Sequence, residues 1–184
     1  MSKDGQYSKK QLLEAILKSV KKLQHHDGAL FGLPIEDGAS EDSRKLHEVC
    51  INHKLAEHLG AQILPLLGNC QNMFVDIEFN REGINFKSTT IEGEQLMVRP
   101  DIIIHNRKSN GEKFNFLVVE CKKSNASSEE LERDLKKLKA LMDNPVYNYN
   151  FGLQVVYDVA VVTVKMLYKQ DGSIKEEIYN VSVS

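Results

Sequence analysis

The chain has 184 residues, 41% of them hydrophobic and 27% charged, which suits a single domain with a real core and a polar surface. With 4 Pro and 11 Gly it is neither collagen-like nor low in complexity, and no apolar run approaches the roughly 18 to 20 residues that cross a bilayer. A formal net charge of −2 argues at first against a nucleic-acid partner, because phosphate binding ordinarily leaves a basic footprint.

The opening residues Met1 to Gln6 carry no apolar stretch of the signal-peptide type, and Cys50, Cys70 and Cys121 form no C-x-x-C pair. An odd set of scattered cysteines reads as free thiols in a reducing interior, so a cytoplasmic location is expected. His53 and His58 are off-register for two zinc ligands on one helical face, and His25-His26 is expected in a loop.

Ser8 with Gln11 predicts a capping box, and Leu12, Leu13, Ile16, Leu17, Val20 and Leu23 continue it as an amphipathic helix over residues 8–24. Its outer face carries Lys9, Lys10, Lys18, Lys21 and Lys22. After a Gly- and Asp-rich connection, a second helix is expected from Glu41 to Leu59, stopping near Gly60. Leu46, Val49, Cys50, Ile51, Leu55 and Leu59 would form its apolar edge. Met73 to Phe79 alternates as a half-exposed strand, with Asp76 and Glu78 outward. Arg81 to Glu94 reads as a turn or loop.

Two further strands are expected, Met97 to His105 and Phe114 to Lys122. Ser127 with Glu130 then opens a helix burying Leu131, Leu135, Leu138 and Met142. Gln154 to Lys165 reads as one buried strand, and Ile174 to Val183 as an edge strand. The expected fold is α/β with a central mixed sheet flanked by helices.

Period-two arithmetic on Phe116-Leu-Val-Val-Glu-Cys-Lys122 puts Phe116, Val118, Glu120 and Lys122 on one face, so an apolar strand ends on an acid beside an amine. Asp101 interrupts the apolar run of the preceding strand. Charges in such settings are costly unless paired or bound to metal. If the strands are neighbours, Asp101, Glu120 and Lys122 converge. Carboxylate oxygens suit Mg²⁺, with Mn²⁺ as a substitute, and such an ion acidifies water and stabilises charge on a scissile phosphate. A plain Lys–Glu pair at a strand end is the bland alternative.

Pro100-Asp101, followed nineteen residues after the Asp by Glu120-Cys121-Lys122, resembles the PD-(D/E)xK nuclease superfamily. The resemblance spans residues 41–165 and leaves the leading helix outside. It implies a restriction-endonuclease-like core of order α-β-β-β-α-β within a single domain of residues 1–184. It also implies metal-dependent phosphodiester hydrolysis leaving a 5′-phosphate, with DNA as the expected substrate. Asp101, Glu120 and the backbone carbonyl of Cys121 would be metal ligands, and Lys122 would orient the attacking water. The superfamily often adds an acid from its first core helix. Glu48 is the candidate, on one stripe with Ile51, Leu55 and Leu59, whereas Glu57 falls on a solvated face. The Cys121 side chain faces away and serves packing.

Asp76, Asn80, Arg81, Arg99, His105, Lys123 and Gln154 are candidates for contacts with nucleic acid or for supporting the ligands. The alternatives are a catalytically silent nuclease-like module for binding or assembly, and a junction-type endonuclease working as a homodimer. A recruiting protein partner fits the absence of any zinc finger or helix-turn-helix signature. The charge objection softens on inspection: residues 1–25 hold six Lys against Asp4 and Glu14, while Asp27 to Glu48 holds six acids against Arg44 and Lys45. Near-neutrality can thus combine a basic face with an acidic, metal-filled cleft, and weak, Mg²⁺-dependent binding is expected.

Overall fold

The computed structural model describes residues 7–31, 41–68, 72–82, 85–107 and 115–182, with side chains described at all of these but 29, 41–47, 81, 82 and 85. Cys70 lies outside the described residues. Ser8 caps α1 (Lys9–Asp27): its hydroxyl accepts from Gln11 N at 3.2 Å, and Gln11 Oε1 accepts from Ser8 N at 2.7 Å. Leu12, Ile16, Val20 and Leu23 form its buried stripe. The helix runs beyond Leu23, so His25 and His26 stand in its last turn and not in a loop; imidazoles there meet the negative end of the helix dipole.

The second helix, α2 (Glu41–Ile63), continues through Gly60. A Cβ at Gly60 would lie 3.0 Å from Val75 Cγ2, so this glycine permits close packing on a strand and is not a stop signal. Ile51, Leu55, Leu59 and Ile63 are buried, whereas Cys50, expected on the apolar edge, is exposed. A short 3-10 turn, Leu64–Leu67, leads to β1 (Met73–Ile77).

The segment expected as a loop from Arg81 to Glu94 instead contains β2 (Arg81–Glu82), β3 (Asn85–Phe86) and β4 (Ser88–Ile91), the last paired with β5 (Glu94–Met97). Glu92 and Gly93, both at positive φ (51° and 87°), make the two-residue turn of the β4–β5 hairpin. Its strands are four residues each and their apolar residues do not alternate, so periodicity could not reveal them. The strand expected over Met97 to His105 is therefore two pieces, β5 and β6 (Ile102–Asn106). Pro100 between them has no N–H for a ladder.

Next come β7 (Asn115–Lys123), α3 (Ser128–Asp143), β8 (Phe151–Tyr157), β9 (Val161–Gln170) and β10 (Ser173–Ser182). The single strand expected over Gln154 to Lys165 is a hairpin broken at Asp158, whose carboxylate accepts from Ala160 N at 2.9 Å and turns the chain. The six-stranded sheet has the order β1-β6-β7-β8-β9-β10. Only β7 and β8 are parallel, with α3 as their connection; every other pair is antiparallel. The fold is a mixed α/β sheet flanked by helices. One core cluster joins α1 and α2 to the sheet through Ile102, Ile104, Leu117, Val119 and Cys121; the other joins α3 through Ile103, Val118, Leu138, Leu141 and Met142.

Phe116 departs from the expected face. The β6–β7 register shifts between Ile104 and His105, leaving Phe116 unpaired across the ladder, and its ring joins the cluster opposite Val118. Strand alternation resets at such a bulge.

Candidate functional site

Central placement of β7 decides the character of the site. Lying between β6 and β8, the strand is buried from Asn115 to Cys121, and Val118, Glu120 and Lys122 face α3. Glu120 is 1% exposed, and its Oε2 is held by Lys137 Nζ from α3 at 2.5 Å. Asp101 sits on the bend immediately before β6, where its Oδ2 accepts from Cys121 N at 2.7 Å. That hydrogen bond docks the acid against the strand carrying Glu120.

The ammonium of Lys122 occupies the middle. It donates to the Cys121 carbonyl at 3.2 Å and lies 3.6 Å from Glu48 Oε1 and 3.4 Å from Asp134 Oδ2. The fold thus gathers Glu48 from α2, Asp101 from the bend, Glu120, Cys121 and Lys122 from β7, and Asp134 and Lys137 from α3. Glu57 stays on the solvated face of α2, paired with Lys54 and His53.

Electrostatics at this cluster are unusual. Burial pushes the Glu120 carboxyl well above the usual carboxylate range, and the charges of Asp101 and Asp134 add to the shift against the opposing pull of Lys137. Asp101 is also raised by burial, although the hydrogen bond from Cys121 N and the two lysines draw it back. Glu48 is raised by burial against the attraction of Lys122. Burial pulls the Lys122 ammonium down, but Asp134, Glu48, Asp101 and Glu120 outweigh it and hold the group above its ordinary value. Here Lys122 serves as a hydrogen-bond donor, as its contact with the Cys121 carbonyl shows.

Two oxygens in the cluster lack a hydrogen bond despite full burial: Glu120 Oε1 and Asp134 Oδ2. The latter has its ion-pair contact with Lys122 but not the alignment of a hydrogen bond. Buried acceptors of this kind are costly unless a cation or donor meets them.

Asp134 and Lys137 were absent from the sequence expectations, yet a signal existed. Asp134 lies three residues after Leu131 and four before Leu138, on the apolar stripe of an amphipathic helix, where an acid is out of pattern. It is 7% exposed. Gln154, level with Glu120 on β8, donates to the Leu131 carbonyl at 2.6 Å and ties α3 to the sheet beside the site.

Apart from Arg81, whose side chain is not among those described, the remaining candidates are not brought into the cluster. Asp76 is held by His105 at 2.9 Å and by the Arg107 guanidinium, which accounts for all three without a ligand. His105 is four residues from Asp101, about 13 Å at the rise of a strand. Arg99 pairs with Glu78 at 3.5 Å, and Asn80 lines a shallow cavity of about 200 Å³ with Phe86, Met97 and Arg99. Arg81 opens β2, its side chain outside those described, and Lys123 points away from Lys122 at the end of β7. Cys121 is fully buried, its Sγ 3.1 Å from the Tyr157 hydroxyl, and burial raises its thiol well above the ordinary value; it packs and does not attack.

No protein-family model matches this chain, and no curated protein or solved structure does. Among the described residues, no group of three or more His, Cys, Asp or Glu side chains is placed so that it could hold a metal ion. No helix among them is long and apolar enough to cross a membrane. The donors at the cluster are nonetheless those a hard cation takes: carboxylate oxygens, one of them buried without a partner, and a strand carbonyl.

Proposed function

We propose that this chain is a divalent-metal-dependent nuclease of the PD-(D/E)xK type, hydrolysing phosphodiester bonds in DNA. The observation carrying this reading is the docking of Asp101 onto Cys121 N at 2.7 Å, beside a Glu120 whose buried Oε1 has no partner. The order α2, β1, β6, β7, α3, β8 supports a restriction-endonuclease-like core, with the β2–β5 hairpins inserted between its first two strands.

Asp101, Glu120 and the Cys121 carbonyl would hold Mg²⁺, with Glu48 completing the set directly or through water. The bound ion would supply a Lewis acid for the scissile phosphate and a water of lowered pKa. The Lys122 ammonium, fixed by Asp134 and Glu48, donates a hydrogen bond to the attacking oxygen and opposes the negative charge that develops on the phosphate. Asp101 is positioned by the backbone of the very strand that carries Glu120 and Lys122, so the reacting groups move as one rigid unit.

The test is cleavage of duplex, single-stranded and branched DNA by the purified chain with Mg²⁺ or Mn²⁺. Wild-type protein should cut at least one of these substrates, and Asp101→Asn and Lys122→Met should each lose at least about 100-fold in rate, the size expected for an electrostatic stabiliser. Cleavage that survives both substitutions, or none by wild-type protein, would refute the reading.

A further inference from the structure

The carboxylates of Glu48, Asp101, Glu120 and Asp134 converge from α2, the bend before β6, β7 and α3. Two lysines are embedded among them: Lys122 touches Glu48 and Asp134, and Lys137 takes one oxygen of Glu120 at 2.5 Å. Of these contacts, the one made by Lys137 falls on Glu120 itself. With Oε2 of Glu120 held by Lys137, only Oε1 remains without a hydrogen bond, and that atom is fully buried.

Resting on the metal-dependent reading above, we propose that Lys137 stands where a second metal ion would otherwise sit, making this a one-metal centre. Lys137 is a positioning residue: it fixes the Glu120 carboxylate so that Oε1 is the oxygen offered to the ion. An outer partner of this type orients a ligating carboxylate without touching the metal. The ammonium also supplies, as a permanent part of α3, the positive charge that a two-metal enzyme recruits from solution on the far side of the shared carboxylate. α3 is well placed to do so. Its start is fixed by the Ser127–Glu130 capping box, and its apolar stripe is packed on the sheet through Leu138, Leu141 and Met142. Asp134, one turn before Lys137, holds Lys122 from the same helix.

The experiment is Mn²⁺ titration followed by calorimetry and by the electron paramagnetic resonance signal of free Mn²⁺, up to about 1 mM, the weak end of divalent-ion affinity. Wild-type protein should bind one Mn²⁺ per chain, Lys137→Arg one, and Lys137→Met two. Two equivalents on wild-type protein would overturn the one-metal assignment while leaving the metal site itself intact. A single equivalent on folded Lys137→Met would overturn the role of Lys137. No Mn²⁺ on wild-type protein would overturn both this assignment and the metal-dependent reading beneath it. The wild-type stoichiometry decides the one-metal claim even if Lys137→Met fails to fold. Lysine ammonium resonances of wild-type protein then decide the role of Lys137: its signal should remain protected from water exchange when Mg²⁺ is added, and loss of that protection would contradict it.

Discussion

Removing the charge of Glu120 should stabilise the metal-free protein. The side chain is 1% exposed, burial drives its carboxyl well above the usual range, and Oε1 has no hydrogen bond. An unmet buried acceptor costs about 1–3 kcal/mol. In Glu120→Gln the carbonyl can keep accepting from Lys137, and the new amide N–H₂ faces the carboxylates of Asp101 and Asp134. The lost ion pair weighs less than a fully buried one, because the Lys137 side chain keeps 20% exposure and can rehydrate. The balance is a gain of about 1 kcal/mol, or roughly 2–4 °C in Tm for a chain of this size. A carboxyl raised in the folded state favours folding when protonated, so the wild type recovers stability as pH falls through its raised value toward the ordinary carboxylate pKa of about 4.3. The advantage of Glu120→Gln should therefore be largest near pH 8 and fade with acidification. Thermal denaturation in EDTA across this range measures it. A Tm lower than wild type at pH 8, or an advantage that grows as pH falls, would refute the reasoning.

Other outcomes follow from the same geometry. Asp101→Asn keeps an acceptor for Cys121 N, so circular dichroism should show Tm within about 2 °C of wild type while cleavage is lost; Asp101→Ala, which strands that N–H, should cost about 1–3 kcal/mol by urea denaturation. Asp134→Asn loosens Lys122 and should lower kcat about tenfold with little change in KM, the effect of roughly 1.4 kcal/mol on a positioning contact. Asp76→Asn should leave cleavage unaltered and lower stability. Burial alone would raise the Asp76 carboxyl, but hydrogen bonds from Arg107 and His105 hold it below the ordinary range. Its contribution is thus present above the ordinary pKa of about 3.9 and disappears as pH falls through the depressed folded value, which unfolding curves in acid will detect. Ser127→Ala removes the cap of the helix bearing Asp134 and Lys137 and should cost about 1 kcal/mol, read as a Tm drop of roughly 2–4 °C.

The helices were legible because their signals are local. Ser8–Gln11 and Ser127–Glu130 both form the capping boxes their spacing predicts. Of the stripes behind them Leu12, Ile16, Val20, Leu23, Leu138 and Met142 are buried, while Leu13, Leu17, Leu131 and Leu135 are only partly so. Strand ends were less legible for physical reasons. Asp158 breaks β8 from β9 inside a continuous Val-rich run, and a single turn residue is a faint mark in such a stretch. In the β4–β5 hairpin the apolar residues are Ile91 on one strand and the adjacent Leu96 and Met97 on the other, so neither strand shows an alternating period. Of the site, Glu48 could be named because the superfamily resemblance implies an acid on the first core helix, and Asp101, Glu120 and Lys122 because charges beside apolar runs stand out. Asp134 broke the stripe of α3 in the same way and was legible in principle. Lys137 was not, since only the packing of α3 on the sheet reveals that its ammonium meets Glu120. Conversely, Asp76 and His105 resemble site residues in sequence, but Arg107 and the β1–β6 pairing give them to each other.

The central claim is that the carboxylates around Cys121 form a metal-binding catalytic centre. Anomalous scattering from crystals grown with Mn²⁺ tests it most directly. One peak per chain is expected, about 2.0–2.3 Å from oxygens of Asp101 and Glu120 and from the Cys121 carbonyl, with Lys137 still on the second oxygen of Glu120. A map with no peak among these three residues, while Mn²⁺ is bound elsewhere on the chain or not at all, would contradict the account.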